Sequence, residues 1–161
     1  MRVLGIDPGS LKTGYGIVDK TANEIKLVAC GCIINKTKDP FDRRYYKIFS
    51  ELKKIIYELK PDIAALENVI YCNNSKVAIK LGESRGIAIL SAAESNIPIA
   101  EYSPKSIKQA TVGNGNASKY QIQTMIKQIF NLATVPQPDT ADALAVAICH
   151  INNKMYNLKI T

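Results

Sequence analysis

The sequence predicts an α/β protein built on one mixed five-stranded sheet flanked by helices, and three observations carry that expectation. The first 34 residues hold three short runs rich in β-branched and apolar residues, separated by the polar stretches DPGSLKT and KTAN; this is the pattern of an antiparallel meander. Beyond them the apolar period lengthens to three and four, and helical stretches alternate with two further short apolar runs, as they do where parallel strands are joined by helices. Finally, 161 residues suffice for one real core and are too few for two of comfortable size. Residues 1–161 are therefore expected to form one domain, the polar stretch NNKMYNLKIT at the end reading as a frayed tail.

Strands are expected at 2–6, 14–19 and 25–34. In DRRYYKIFSELKKIIYELK, Tyr45, Ile48, Leu52, Ile55, Ile56 and Leu59 give one face of a long helix, with Pro61 beyond its end. PDIAALEN reads as a fully buried strand that runs into Glu67. A helix over about 75–95 follows, then a strand at IPIAEY, a short helix at SPKSIKQA and the glycine-rich loop VGNGNA. The next helix opens at Ser118, where SKYQ sets a glutamine three residues after a hydroxyl, the signature of a capping box. A last helix begins near Pro138 and carries DTADALAVAICHI.

Composition narrows the class. Lys and Arg number 21 against 14 Asp and Glu, a net charge of +7, which favours a polyanionic partner. The start MRVLGID lacks the apolar stretch of a signal peptide, and the longest apolar runs fall short of a membrane span, so a soluble, cytoplasmic protein without a membrane partner is expected. Cys30, Cys32, Cys72 and Cys149 form no CxxC pair, which fits reduced thiols better than a disulfide frame or a zinc site.

The acids stand out by position. Asp7 and Glu67 each end an apolar run that reads as a central strand, where a carboxylate costs several kcal/mol to desolvate unless something pairs with it. Strand ends at the carboxyl edge of a sheet are also where α/β folds keep their sites. Asp139 and Asp142, three residues apart at a helix start, project on one face. For GIDPGS two readings compete: a phosphate-cradling loop, or a metal-holding Asp7 that the Pro8-Gly9-Ser10 turn exposes. Singly, Asp7 could cap a turn, Glu67 pair with a lysine and Asp139 cap a helix. Jointly, and with one histidine in the chain, they suit a hard divalent cation such as Mg²⁺ or Mn²⁺. Two such ions roughly 3.5 to 4 Å apart can activate a water and stabilise the leaving oxygen of a phosphodiester.

Lys105, Lys108 and Lys119 group around the Gly-Asn-Gly loop, whose glycines let backbone amides approach a phosphate, and Lys76, Lys80 and Arg85 could extend the patch. A solvated helix face is the plain alternative. Gly82 and Gly86 lie one turn apart in the helix at 75–95, which permits close approach of either the sheet or a second copy.

GIDPGSLKTGYGIV, ALENV, YSPKSIKQATVGNGNASKYQIQ and PDTADALAVAICH resemble, in order and spacing, the RuvC family of crossover junction endodeoxyribonucleases, over residues 1 to about 152. A lone DPG says little; four ordered blocks are specific. The resemblance implies a ribonuclease-H-like fold and a homodimer that resolves four-way junction DNA, the Holliday junction, by paired symmetric nicks. It implies Mg²⁺, with Mn²⁺ able to substitute and two ions per site, and the RuvA–RuvB branch-migration complex as partner. Asp7, Glu67, Asp139 and Asp142 fall on the family's catalytic, metal-holding acids, and Lys108 and Lys119 on lysines used near the scissile phosphate and DNA. One position departs: the family's E-x-x-F places an aromatic to stack on a base, and here Ile70 stands there with Tyr71 beside it. The rivals are a nuclease of the same fold acting on RNA:DNA hybrids or on branched DNA in general, a DNA-binding module without catalysis, and a sugar-kinase or actin-like ATPase, whose second domain this length does not accommodate.

Overall fold

The computed structural model describes residues 1–68 and 74–158, the last five by backbone alone. Ten elements follow in order: β1 (Arg2–Asp7), β2 (Lys12–Lys20), β3 (Ile25–Ile34), α1 (Phe41–Leu59), β4 (Ile63–Glu67), α2 (Ser75–Glu94), β5 (Ile99–Tyr102), α3 (Pro104–Val112), α4 (Lys119–Ile129) and α5 (Pro138–Leu158). The strands form one sheet in the order β3-β2-β1-β4-β5. β1, β2 and β3 are antiparallel neighbours, while β4 runs parallel to β1 and β5 parallel to β4. The mixed sheet thus has the expected directions.

Side-chain alternation along the strands divides the core in two. Leu4, Ile6, Ile17, Ala64 and Leu66 face α1 and α2, packing with Ile48, Leu52 and Ala88. Val3, Val18 and Ala65 face the other way, onto Leu144 and Ile148 of α5 with Ile122 and Ile126 of α4. Asp7 and Glu67 follow Val3 and Ala65 at intervals of two along their strands. The period that buries the core therefore points both carboxylates to the α5 face.

Local chemistry sets the helix ends. Ser118 accepts from the Gln121 amide at 3.3 Å while Gln121 Oε1 accepts from the Ser118 amide at 2.8 Å, so the capping box is closed as expected. Asn74 caps α2 by accepting from the amides of Lys76 and Val77. α5 continues to Leu158, well into the segment read as a frayed tail. The asparagines there are engaged: Asn152 donates to the Ala110 carbonyl at 3.0 Å, and Asn153 to the Cys149 carbonyl at 2.9 Å. Among the described residues no helix is long and apolar enough to cross a membrane.

Candidate active site

Three glycines decide where the acids meet. A Cβ on Gly5 would overlap the Ala143 carbonyl oxygen, one on Gly14 the Asp139 carbonyl oxygen, and one on Gly16 the Leu144 side chain. The strands β1 and β2 thus offer α5 a bare backbone track, and the helix settles directly on it. Gly14 is also the partner of Asp7 across β1–β2. Asp139 is therefore held beside Asp7, with Asp142 one turn further on. Glu67 arrives from the other side, because the register Gly5↔Ala65 and Ile6↔Leu66 keeps the ends of β1 and β4 level.

The turn after Asp7 is closed by its own backbone. Thr13 Oγ1 donates to the Gly9 carbonyl at 2.8 Å, and a Cβ on Gly9 would overlap the Lys12 carbonyl oxygen. This close carbonyl leaves no room for a side chain at position 9, and β2 starts at Lys12, two residues before the expected 14.

Electrostatics set the carboxylates of the cluster against one another. Burial, and then the charges of Asp142, Glu67 and Asp139, push the Asp7 carboxyl up to about 7. Burial likewise raises Glu67, helped by Asp142 and opposed by Lys119 and Lys108. Asp142 is raised by burial, against the pull of Lys119, whose Nζ stands 3.5 Å from its Oδ2. Like-charged carboxylates gathered at low dielectric ask for positive charge, and Lys119, with its side chain 79% exposed, supplies only part of it.

Asp7, Glu67, Asp142, Lys108 and Lys119 line one cleft of about 190 Å³. Two roomier clefts, of about 470 and 390 Å³, lie elsewhere and gather no more than two acids each; the chemistry, not the volume, picks the site. Among the described residues no group of three or more His, Cys, Asp and Glu stands close enough to hold a metal ion by itself. Hard divalent cations are commonly bound through one or two carboxylates with waters and substrate phosphates completing the shell.

The remaining expected residues divide. Lys105 lies outside the cleft lining, its stem packed against Gly115 in the loop that Gln109 pins by bonds to Gly113 and Gly115. Arg85 is withdrawn from the basic patch by an ion pair with Glu101 of β5. His150 is 2% exposed and shares a hydrogen bond of 2.7 Å between its Nδ1 and the Tyr102 hydroxyl, which ties α5 to β5. Ile70 and Tyr71 lie outside the described residues. Sequence reasoning missed Tyr102, which pairs with Glu67 across β4–β5 and is tied through His150 to α5. It also missed the role of Gly5, Gly14 and Gly16, although their spacing in VLGI and TGYG was the available signal.

Comparison with known proteins places the chain in a family. The family model for crossover junction endodeoxyribonuclease RuvC matches residues 3–150. The protein of that name from Syntrophomonas wolfei is 45% identical over 95% of this chain and 90% of its own length. Its counterpart from Geobacter sulfurreducens is 45% identical, covering 95% of this chain and 93% of its own. Among solved structures, Thermus thermophilus RuvC in complex with a Holliday junction substrate superposes with a TM-score of 0.90 at 30% identity, covering 98% of this chain and 96% of that one. The yeast mitochondrial resolvase Ydc2 shares the fold, at a TM-score of 0.66 and 17% identity over 96% of this chain and 81% of that one. With its ribonuclease-H-like sheet, its converging acids and these relatives along nearly its whole length, the chain belongs to the RuvC family of crossover junction endodeoxyribonucleases.

Proposed function

We propose that the protein is a metal-dependent Holliday junction resolvase of DNA recombination and repair, a single nuclease domain working as a cytoplasmic homodimer beside a RuvA–RuvB branch-migration complex. The observation that carries the chemistry is the convergence of Asp7, Glu67, Asp139 and Asp142 from β1, β4 and α5. These four would hold Mg²⁺, two ions per site, with Mn²⁺ substituting. When bound, the ions supply an ionised water at neutral pH and charge at the leaving oxygen. The chain's own part is to hold the carboxylates on rigid elements, to orient Glu67 through the strand end that Tyr102 braces, and to meet the phosphate with Lys108 and Lys119. Lys105 extends that contact, and Ile70 and Tyr71 engage bases at the crossover. The test is a synthetic mobile four-way junction with Mg²⁺, set beside linear duplex and an RNA:DNA hybrid. Paired symmetric nicks in the junction are expected. A better rate on the hybrid would move the assignment to another nuclease of the same fold.

The dimer rests on α2. Ile79, Gly82, Gly86 and Leu90 recur at three and four residues along its outer face, with Ile79 60% and Leu90 56% exposed. A Cβ on Gly82 or Gly86 would meet nothing within 4 Å, so nothing within the chain requires a glycine at either place, yet each costs the helix about 1 kcal/mol relative to alanine. Close approach of a second α2 accounts for both. Gly86→Glu is expected to leave the fold intact, to halve the mass seen by light scattering and to convert paired nicks into single ones. A dimer that survives both Gly86→Glu and Gly82→Glu would place the interface elsewhere.

A further inference from the structure

We infer that the link from β3 into α1, together with Lys12, is a second DNA-backbone surface that receives a duplex arm on the side of Asp7 away from α3. The inference rests on the proposed function and extends it to how the junction is seated. Lys12, Lys36, Lys38 and Arg43 are all exposed, and Arg44 is half-buried. Only Asp39 and Asp42 oppose these five charges along the link and the first turn of α1, and none of the five belongs to the ion pairs found among the described residues. Lysines and arginines that outnumber the acids around them and stand outside ion pairs are the footprint of a phosphate backbone.

The surface is locked to the catalytic turn. Asn35, 7% exposed, donates through its amide to the Leu11 carbonyl at 2.9 Å. Its Nδ2 donates to the Ser10 carbonyl at 3.0 Å and the Arg44 carbonyl at 3.2 Å. Lys12 pairs with Ile34 across β2–β3. A phosphate bound here therefore keeps a set distance from Asp7 without ordering a flexible loop first. Sheet order places this surface on the β3 side of β1, whereas α3, with Lys105 and Lys108, follows β5 on the other side. The two basic surfaces flank the acids, as a substrate that runs through the site and out on both sides requires.

Arg44 supplies a second, independent sign. Its Nε is buried without a hydrogen-bond partner. A guanidinium nitrogen buried without a partner costs stability, and an anion drawn to this arginine from outside the chain would offset that cost.

The experiment titrates junction DNA with the full-length protein in EDTA across a range of salt, comparing wild type, Lys36→Ala/Lys38→Ala/Arg43→Ala, Arg44→Met and Lys108→Ala. Because each lost phosphate contact removes about 0.9 from the slope of log affinity against log salt, the triple variant is expected to lower that slope by about 2 to 3 and to weaken binding at least about tenfold. Arg44→Met is expected to bind severalfold more weakly while melting no lower than wild type; a purely structural arginine would instead lose thermal stability and leave affinity alone. A triple-variant slope equal to wild type, with Lys108→Ala still lowering it, overturns the second surface and leaves the proposed function standing. Insensitivity to both sets overturns the reading of the site itself.

Discussion

Asp7→Asn is expected to abolish nicking of a four-way junction while binding persists, a loss of about a thousandfold or more in the cleavage rate measured on denaturing gels. Asp7 sits at the centre of the cluster: its carboxyl is the one raised by Asp142, Glu67 and Asp139 together. An amide there removes a charged ligand from a hard cation, and the loss of several kcal/mol of transition-state stabilisation translates into that factor. Junction affinity should hold or rise, since a negative charge facing DNA has gone. Retained cleavage would remove Asp7 from the mechanism.

The same substitution should stabilise the metal-free fold, with a pH dependence whose sign follows from linkage. The folded-state value of about 7 lies above the ordinary 3.8, so the native state binds the proton more tightly. The stability contributed by that proton is complete below 3.8 and is lost as pH rises through 7. In EDTA at pH 8 the wild type therefore carries a buried, repelled carboxylate that Asp7→Asn lacks, and the variant should be more stable by on the order of 2 to 4 kcal/mol. Denaturant melts near pH 4 should show the gap closed. A variant less stable than wild type at pH 8 would mean that the cluster is not repulsive without metal.

Gly14→Ala is expected to cost the second-largest amount. One methyl at this position collides with the Asp139 carbonyl oxygen, which is backbone and cannot rotate away. The start of α5 must lift, at a cost of about 1 to 3 kcal/mol of overpacking. Asp139 and Asp142 ride on that start. A displacement of about 1 Å in positioned groups costs about a hundredfold in rate, so the cleavage rate should fall by that factor while junction affinity, set by lysines elsewhere, stays near wild type. A drop in melting temperature with an unchanged cleavage rate would uncouple the glycine track from the site.

Much of this arrangement was legible in the sequence, and the reasons are physical. Asp7 and Glu67 betray themselves because an acid ending a fully apolar strand has no bland purpose that is cheap. Ser118 and Gln121 announce a helix start because their bonds are local. What could not be read is whatever depends on partners distant in the chain. Arg85 looks like one more basic residue until Glu101 is seen across from it. The asparagines at the end of α5 look like a loose tail until the Ala110 carbonyl appears beside Asn152. Gly9 reads as part of a turn that exposes Asp7, and only the fold shows the Lys12 carbonyl that a side chain there would strike. The glycines of β1 and β2 were visible as letters, but their purpose belongs to a helix more than a hundred residues later.

That distance has a consequence for how the nuclease comes into being. The track of Gly5, Gly14 and Gly16 is made first and its cover, α5, last, so during synthesis at about 5 to 20 residues per second the bare face waits several seconds for its lid. Half of the carboxylates arrive with the lid. A nascent or prematurely ended chain can thus display Asp7 and Glu67 without the acids that α5 brings, and the set of four is assembled only once that helix has been made and has docked.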